Sequence, residues 1–323
     1  MMTPHVAPAL LLLVGKKDSL FKLHLESLLE SNHTQIEIKM LTRILLLSLL
    51  CKSAFASNST IVSKVGAVRH GAYKYLYDES VLDACDTVLF LAVGSAMGVK
   101  DYDSISTAIV SDSSVVTIVS DHNPRFPVKL FSGQFVNFYN EMVPDLQRLI
   151  PACEGKKDPI ILIGAHSASG SAAIKALPNL TKKPDGFVGL DPFPIDVRKM
   201  KIDESIPTLE WGFAKTTCRT KIEQAAKPAY QISSKKHRIF YRVDNISQAV
   251  AHCVFTDKGC SIICGKKADG GWVPPAVAIS IHNFIIAIKS GSFEKEQFEL
   301  PHDDKAKFEL FVNQDDPDAE SEL

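Results

Sequence analysis

Between residues 87 and 243 the chain repeats one pattern: a short, unbroken apolar run, then turn residues or helical spacing. TVLFLAV (87–93), VVTIV (115–119), PIILI (159–163), FVGL (187–190) and RIFYRV (238–243) carry little of the strict alternation that marks a strand with one wet face. Runs of this kind fit strands buried on both faces, the situation in a mostly parallel sheet covered by helices. The spacing predicts helices over Tyr102–Ile109, Ser169–Leu177 and Ala276–Lys289, and a further strand over Thr208–Phe213. Phe135, Phe138, Met142, Leu146 and Leu149 also recur at helical spacing, but Pro144 lies among them and predicts a kink or two shorter pieces. The expected fold class is α/β, a mostly parallel central sheet with helices on both faces. Right-handed crossovers bring the strand C-termini to one edge, where open α/β sheets bind ligands. GSAMG, SDHN, AHSAS, LDPFP and the segment after RIFYRV would converge there.

With 323 residues, 46% of them hydrophobic, the chain can bury a large core. A net charge of -1 provides no broad basic field, so nucleic acid is not an expected partner. Residues 40–56, MLTRILLLSLLCKSAFA, combine Arg43, a short apolar run and a small-x-small Ala54-Phe55-Ala56. The pattern predicts a signal peptide, since the run is far short of the ~20 residues of a spanning helix. Residues 1–39 would be an upstream extension, 57–312 a single domain, and 313–323 an acidic, disordered tail. Removing Cys51 with the signal leaves six cysteines, an even number that suits an oxidising compartment. Two of Cys253, Cys260 and Cys264 could close a local loop, with Cys218 stapling the preceding segment. No C-x-x-C pair suggests zinc. Asn58, Asn179 and Asn245 open glycan-acceptor tripeptides, a pattern that is frequent by chance.

The most informative turn is IGAHSASGSAA, residues 163–173, between an apolar run and a helical one. A sharp strand-to-helix corner lifts its central side chain above the sheet edge and requires small residues two positions before and after. Ala165 and Ser169 meet that requirement around Ser167, in place of the two glycines of G-x-S-x-G. A serine nucleophile needs a base, and the base needs an acid to fix its tautomer. In chain order Ser, Asp, His, the candidates are Ser167, Asp191 after FVGL, and His252 after RIFYRV. Asp196, Glu210 and Asp244 are alternative acids, although Glu210 falls inside a strand. His166 is expected to support the turn, His282 to pack or hydrogen-bond within an apolar helix, and His237 stands at the wrong end of its strand. The oxyanion needs backbone donors: Ala168 at the helix start, and Gly94 or Ser95 in the loop after TVLFLAV. Met97, Phe126, Phe193 and Phe255 are candidate walls of an apolar pocket.

The chain resembles the α/β-hydrolases, and within them the chlorophyllase-like and related serine esterases. ILIGAHSASGSAA is similar to that group's strand and G-H-S-x-G-G elbow, GFVGLDPFPID to its strand and acid segment, and AHCVFTDKGC to its late histidine loop. The resemblance spans roughly residues 85 to 290. Val93-Gly94 stands where the group has His-Gly, and Ala168 where plant chlorophyllases often carry Arg. It implies an α/β-hydrolase fold and a Ser167–His252–Asp191 triad acting on a small apolar ester without a cofactor. Lipase or phospholipid acyl-hydrolase activity on the same triad is the first alternative, and a secreted, non-catalytic hydrolase-like binding protein is the second. Such a substrate is compatible with transient contact with a lipid surface. The expected location is the secretory pathway and the cell exterior, with a plastid reached through a signal peptide as the alternative.

Overall fold

A computed structural model of the chain describes residues 59–95, 97–121, 129–193, 200–215, 226–244, 252–257, 270–301 and 308–314. All of them belong to the unit Ser59–Leu323. The expected signal segment 40–56 and the extension before it lie outside the described residues, as do Phe126, residues 315–323, and Cys218, Cys260 and Cys264.

The described strands form one nine-stranded sheet. They are β1 (Ile61–Val68), β2 (Gly71–Asp78), β3 (Thr87–Ala92), β4 (Val115–Ser120), β5 (Ile160–His166), β6 (Gly186–Leu190), β7 (Thr208–Phe213), β8 (Arg238–Val243) and β9 (Phe308–Val312). Their order across the sheet is β1-β2-β4-β3-β5-β6-β7-β8-β9. From β4 to β8 every neighbouring pair is parallel. The antiparallel pairs lie at the two sides: β1 with β2, β2 with β4, and β8 with β9. Every apolar run read as a strand is a parallel strand here. β3, β4, β6 and β7 are buried along their whole length, which explains their lack of alternation.

The four longer helices are α1 (Asp103–Val110), α2 (Lys129–Met142), α3 (Ala168–Ala176) and α4 (Val273–Ser290). They cover two separate cores. On one face Leu89, Leu91, Leu162, Leu209, Trp211 and Tyr241 pack beneath Ile105 and Ile109 of α1 and Val277, Ile281 and Phe284 of α4. On the other, Phe90, Ile118, Ile161, Ile163 and Phe187 pack beneath Phe138 and Met142 of α2 and Ile174 of α3, with Tyr73, Tyr75 and Tyr77 of β2. The helical run with Pro144 divides as its sequence predicts: α2 ends at Met142, a 3-10 turn spans Val143–Asp145, and a short helical turn, Leu146–Leu149, follows.

α4 has the length and composition of a membrane span. Its apolar face nonetheless belongs to the core beneath α1, and its one buried serine has a polar purpose. Trp211 Nε1 donates to Ser280 Oγ at 3.0 Å, and Ser280 Oγ donates to the Val277 carbonyl at 2.7 Å. Pro274 and Pro275 sit in the first turn, where missing N–H groups cost nothing, and Gly291 ends the helix in the left-handed region at φ 71°. His282 packs as expected, its ring bonded to the Ile109 carbonyl of α1 at 2.7 Å.

Cys85 and Cys153 form a disulfide across a sequence separation of 68 residues. They precede β3 and β5, at the end of the sheet opposite the AHSAS turn. In the chain-entropy account a loop of that size restrains the unfolded chain by about 4 kcal/mol. Cys253 is disulfide-bonded too. The start of the predicted tail is structured. Asn313 N–H donates to the Arg238 carbonyl, and the Gln314 carbonyl accepts from Tyr230 and Arg238.

Candidate active site

The chain leaves β5 at His166 and enters α3 at Ala168, so Ser167 makes the whole turn by itself. It does so at φ 60°, ψ -133°, a region that L-residues avoid at a cost of order 1–3 kcal/mol. The backbone around it holds that geometry. Ser167 N–H donates to the Leu190 carbonyl at 3.2 Å, and its own carbonyl accepts from Gly170 at 2.9 Å and Phe193 at 2.7 Å. The Leu190 and Phe193 bonds tie the corner to the end of β6. Small residues make the approach feasible. A Cβ on Gly170 would stand 2.3 Å from Pro192 Cβ, and Ser171 Oγ donates to the Phe193 carbonyl. Ala165 is wholly buried, while Ser169 does more than leave space, since its hydroxyl donates to the Val93 carbonyl.

Asp191 follows β6 directly, also at positive φ (44°), and its N–H is bonded to the Trp211 carbonyl of β7 at 2.7 Å. Its Oδ2 lies 2.5 Å from His252 Nδ1, with both side chains less than a tenth exposed. A carboxylate at Nδ1 fixes the ring so that Nε2 is the nitrogen available to a reacting group. His252 opens a 3-10 turn, His252–Phe255. The same stretch is moored to the start of α1: Asp257 N–H donates to the Asp101 carbonyl at 2.7 Å, and Asp257 Oδ2 accepts the Ser104 N–H at 3.1 Å. The three residues expected to act together are thus held by segments that touch. Ser167 is bonded through its backbone to both sides of Asp191, Asp191 is paired with His252, and the His252 ring stacks on His166 with centroids 4.6 Å apart.

His166 supports the turn more extensively than its position suggests. Its Nδ1 lies 2.7 Å from Tyr102 Oη and its Nε2 lies 3.1 Å from the His252 carbonyl. Burial, and then the neighbouring His252, push its pKa well below the usual histidine range, so the ring is neutral. Tyr102 carries no sequence signal for this role. Only the fold places its hydroxyl against Gly94 and His166, residues 8 and 64 positions away.

Two sets of expectations need correction. Gly94 was an expected oxyanion donor, but its N–H donates to Tyr102 Oη at 2.6 Å and is committed there. The glycine is required for a different reason, because a Cβ would stand 2.8 Å from His166 Nδ1 and 3.2 Å from Ser167 Cβ. Ser95 follows that committed peptide. Ala168 is the first residue of α3, so its N–H has no acceptor within the helix, as an oxyanion donor requires. Phe255 and Met97, expected to line a pocket, are core residues. Phe255 is 1% exposed and packs edge-on to His166 (5.7 Å), so it supports the site from beneath. Met97 lies in the same core. Phe193 is half-buried beside the corner, and Phe126 lies outside the described residues.

Of the alternative acids, Glu210 projects from β7 over Gly189, where a Cβ would stand 1.8 Å from its Oε2. It is completely buried, and neither of its carboxyl oxygens has a partner among the described residues. Burial, then the charge of Asp191, raise its pKa well above 4.5. Asp191, and not Glu210, holds the histidine. Among the described residues no group of His, Cys, Asp and Glu side chains is arranged to hold a metal ion. Compared with known proteins, the chain matches no family model and no curated sequence.

Proposed function

We propose that the chain is a serine carboxylic-ester hydrolase of the α/β-hydrolase type, acting on a small apolar ester. The observation that carries this reading is the buried Asp191–His252 bond at 2.5 Å beside a serine turned at φ 60° between β5 and α3. The chain order Ser167, Asp191, His252, with the serine on a strand-to-helix corner, is that of α/β-hydrolases. A mostly parallel sheet with antiparallel strands at its sides is compatible with that fold.

In the proposed reaction Ser167 Oγ attacks the ester carbonyl. His252 takes the serine proton and passes it to the departing alcohol, while Asp191 holds the imidazole through Nδ1. Ala168 N–H donates to the oxyanion, and Ser95 is the second expected donor. Water, deprotonated by His252, then releases the acid from Ser167. The Cys85–Cys153 disulfide favours an oxidising compartment, in line with the proposed secretory route.

Hydrolysis of p-nitrophenyl butyrate by the purified protein tests the reading. The parent should turn over the ester, and Ser167→Ala and His252→Ala should each lose activity by a factor of ~10³ or more. Equal rates in parent and Ser167→Ala would refute it. Phytol release from chlorophyll then asks whether the pigment ester is a substrate.

A further inference from the structure

Both polar groups of the Val93–Gly94 peptide are engaged. The carbonyl accepts from Ser169 Oγ, and the N–H donates to Tyr102 Oη at 2.6 Å. From Tyr102 the bonds run on to His166 Nδ1 (2.7 Å), and from His166 Nε2 to the His252 carbonyl (3.1 Å). The two ends of this chain have fixed roles, because a backbone N–H can only donate and a carbonyl can only accept. Tyr102 Oη accepts the hydrogen bond from Gly94 N–H, and because the His252 carbonyl takes the Nε2 hydrogen of the neutral ring, Tyr102 donates its own hydrogen to His166 Nδ1. That nitrogen is therefore bare, and Nε2 carries the hydrogen that reaches His252. A protonated His166 would present N–H groups on both sides and leave the Tyr102 hydrogen without an acceptor in this chain. Tyr102 is 0% and His166 1% exposed, so water does not relieve the mismatch.

We propose that Tyr102, His166 and Ser169 form a positioning relay that locks His166 as the neutral Nε2–H tautomer and holds the oxyanion-side loop, the Ser167 corner and the His252 turn in one register. The proposal rests on the esterase reading and adds three residues to it. Tyr102 and Ser169 act through neighbouring groups, and His166 acts on His252 through the ring stack and the His252 carbonyl. Ser169 and Tyr102 hold opposite sides of one peptide and so fix the entry to the loop that carries Ser95. His166 connects that loop to the backbone of His252 itself.

The relay also directs the proton. The His166 and His252 rings stack at 4.6 Å and 30°. When His252 accepts the Ser167 proton it becomes a cation, and a second charge on His166 at that distance would oppose it. Because the relay offers His166 no acceptor for a second hydrogen, the proton falls on His252. The acidic groups near the pair are Asp191 on His252 Nδ1, Glu210 behind Asp191, and Asp101 beside Tyr102. Of these, Asp191 is directly bonded to one of the two rings.

The test combines spectroscopy with kinetics on the full chain. In ¹⁵N-histidine-labelled protein, His166, assigned by its loss in His166→Gln, should show a protonated Nε2 and a bare Nδ1 at neutral pH, whether or not the protein hydrolyses the ester. Tyr102→Phe removes the donor to Nδ1 but leaves the His252 carbonyl at Nε2, so it should keep Nε2 protonated, shift the Nδ1 resonance towards that of an unbonded ring nitrogen, and lower kcat by ~10–100-fold with KM within about twofold, as expected for misplacement without lost binding. Ser169→Ala, which leaves the Tyr102–His166 bonds in place, should lower kcat by a smaller factor and keep the tautomer. It decides the kinetic arm if Tyr102→Phe fails to fold. A parent His166 protonated at Nδ1, or unchanged kcat in both folded variants, would overturn the relay. Full activity in Ser167→Ala would instead overturn the esterase reading, leaving the tautomer measurement to judge the relay by itself.

Discussion

Replacing Glu210 by glutamine should stabilise the protein, and increasingly so as the pH rises. Glu210 is completely buried on β7 against Gly189, with Asp191 as its charged neighbour. Burial first, and that charge second, hold its pKa well above 4.5. The folded chain therefore keeps a proton that the unfolded chain releases above pH 4.5. Stability rises with pH where the unfolded state binds more protons, and here the folded state binds more. Glu210 thus lowers stability as pH climbs from 4.5 towards the raised value, by about 1.4 kcal/mol per pH unit. Glutamine has the same shape and no proton to lose, which removes this slope. With an m-value of about 3 kcal/mol/M in urea, the two midpoints should separate by roughly 0.5 M per pH unit in favour of Glu210→Gln. His166 and His282, whose pKa values burial lowers, are present in both proteins and cancel in the difference. Urea unfolding at pH 5, 6, 7 and 8 measures the gap. A gap constant with pH, or one that widens in favour of the parent, would refute the argument that Glu210 is folded as a neutral acid.

Two further outcomes follow from packing and connectivity. Gly170→Ala would press a methyl group to 2.3 Å from Pro192 Cβ, so it should cost about 1–3 kcal/mol in thermal or urea unfolding and disturb Asp191 through the same loop. Removing the Cys85–Cys153 bridge in a double serine variant should lower stability by about 4 kcal/mol. Ester turnover at low temperature should survive that change, because the bridge lies at the far end of the sheet from Ser167; a loss of activity in a still-folded variant would contradict this placement.

The parallel strands were legible because each is buried on both faces, and burial on both faces leaves unbroken apolar runs such as TVLFLAV and PIILI. Pro144 announced the break after α2 by its missing N–H. Strands β1, β2 and β9 were not foreseen. They form the antiparallel sides of the sheet, and β1 and β9 are its outermost strands, with polar residues and incomplete burial. The Tyr73, Tyr75, Tyr77 alternation was the one available signal for β2.

At the candidate site, Ser167, Asp191 and His252 could be named because strand ends and chain order restrict where such groups can stand. Their partners could not. The Gly94 N–H read as a possible oxyanion donor until the fold placed Tyr102 Oη against it, and Phe255 read as a pocket wall until packing put it beneath His166. The pairing of Cys85 with Cys153, the neutrality of His166 and the burial of Glu210 behind Asp191 likewise join residues 19 to 86 positions apart. Local periodicity is written along the chain, so the sequence determined the parallel strands and the corner. Hydrogen-bond partners and desolvation arise only when distant segments are packed together, and the tertiary structure decided those.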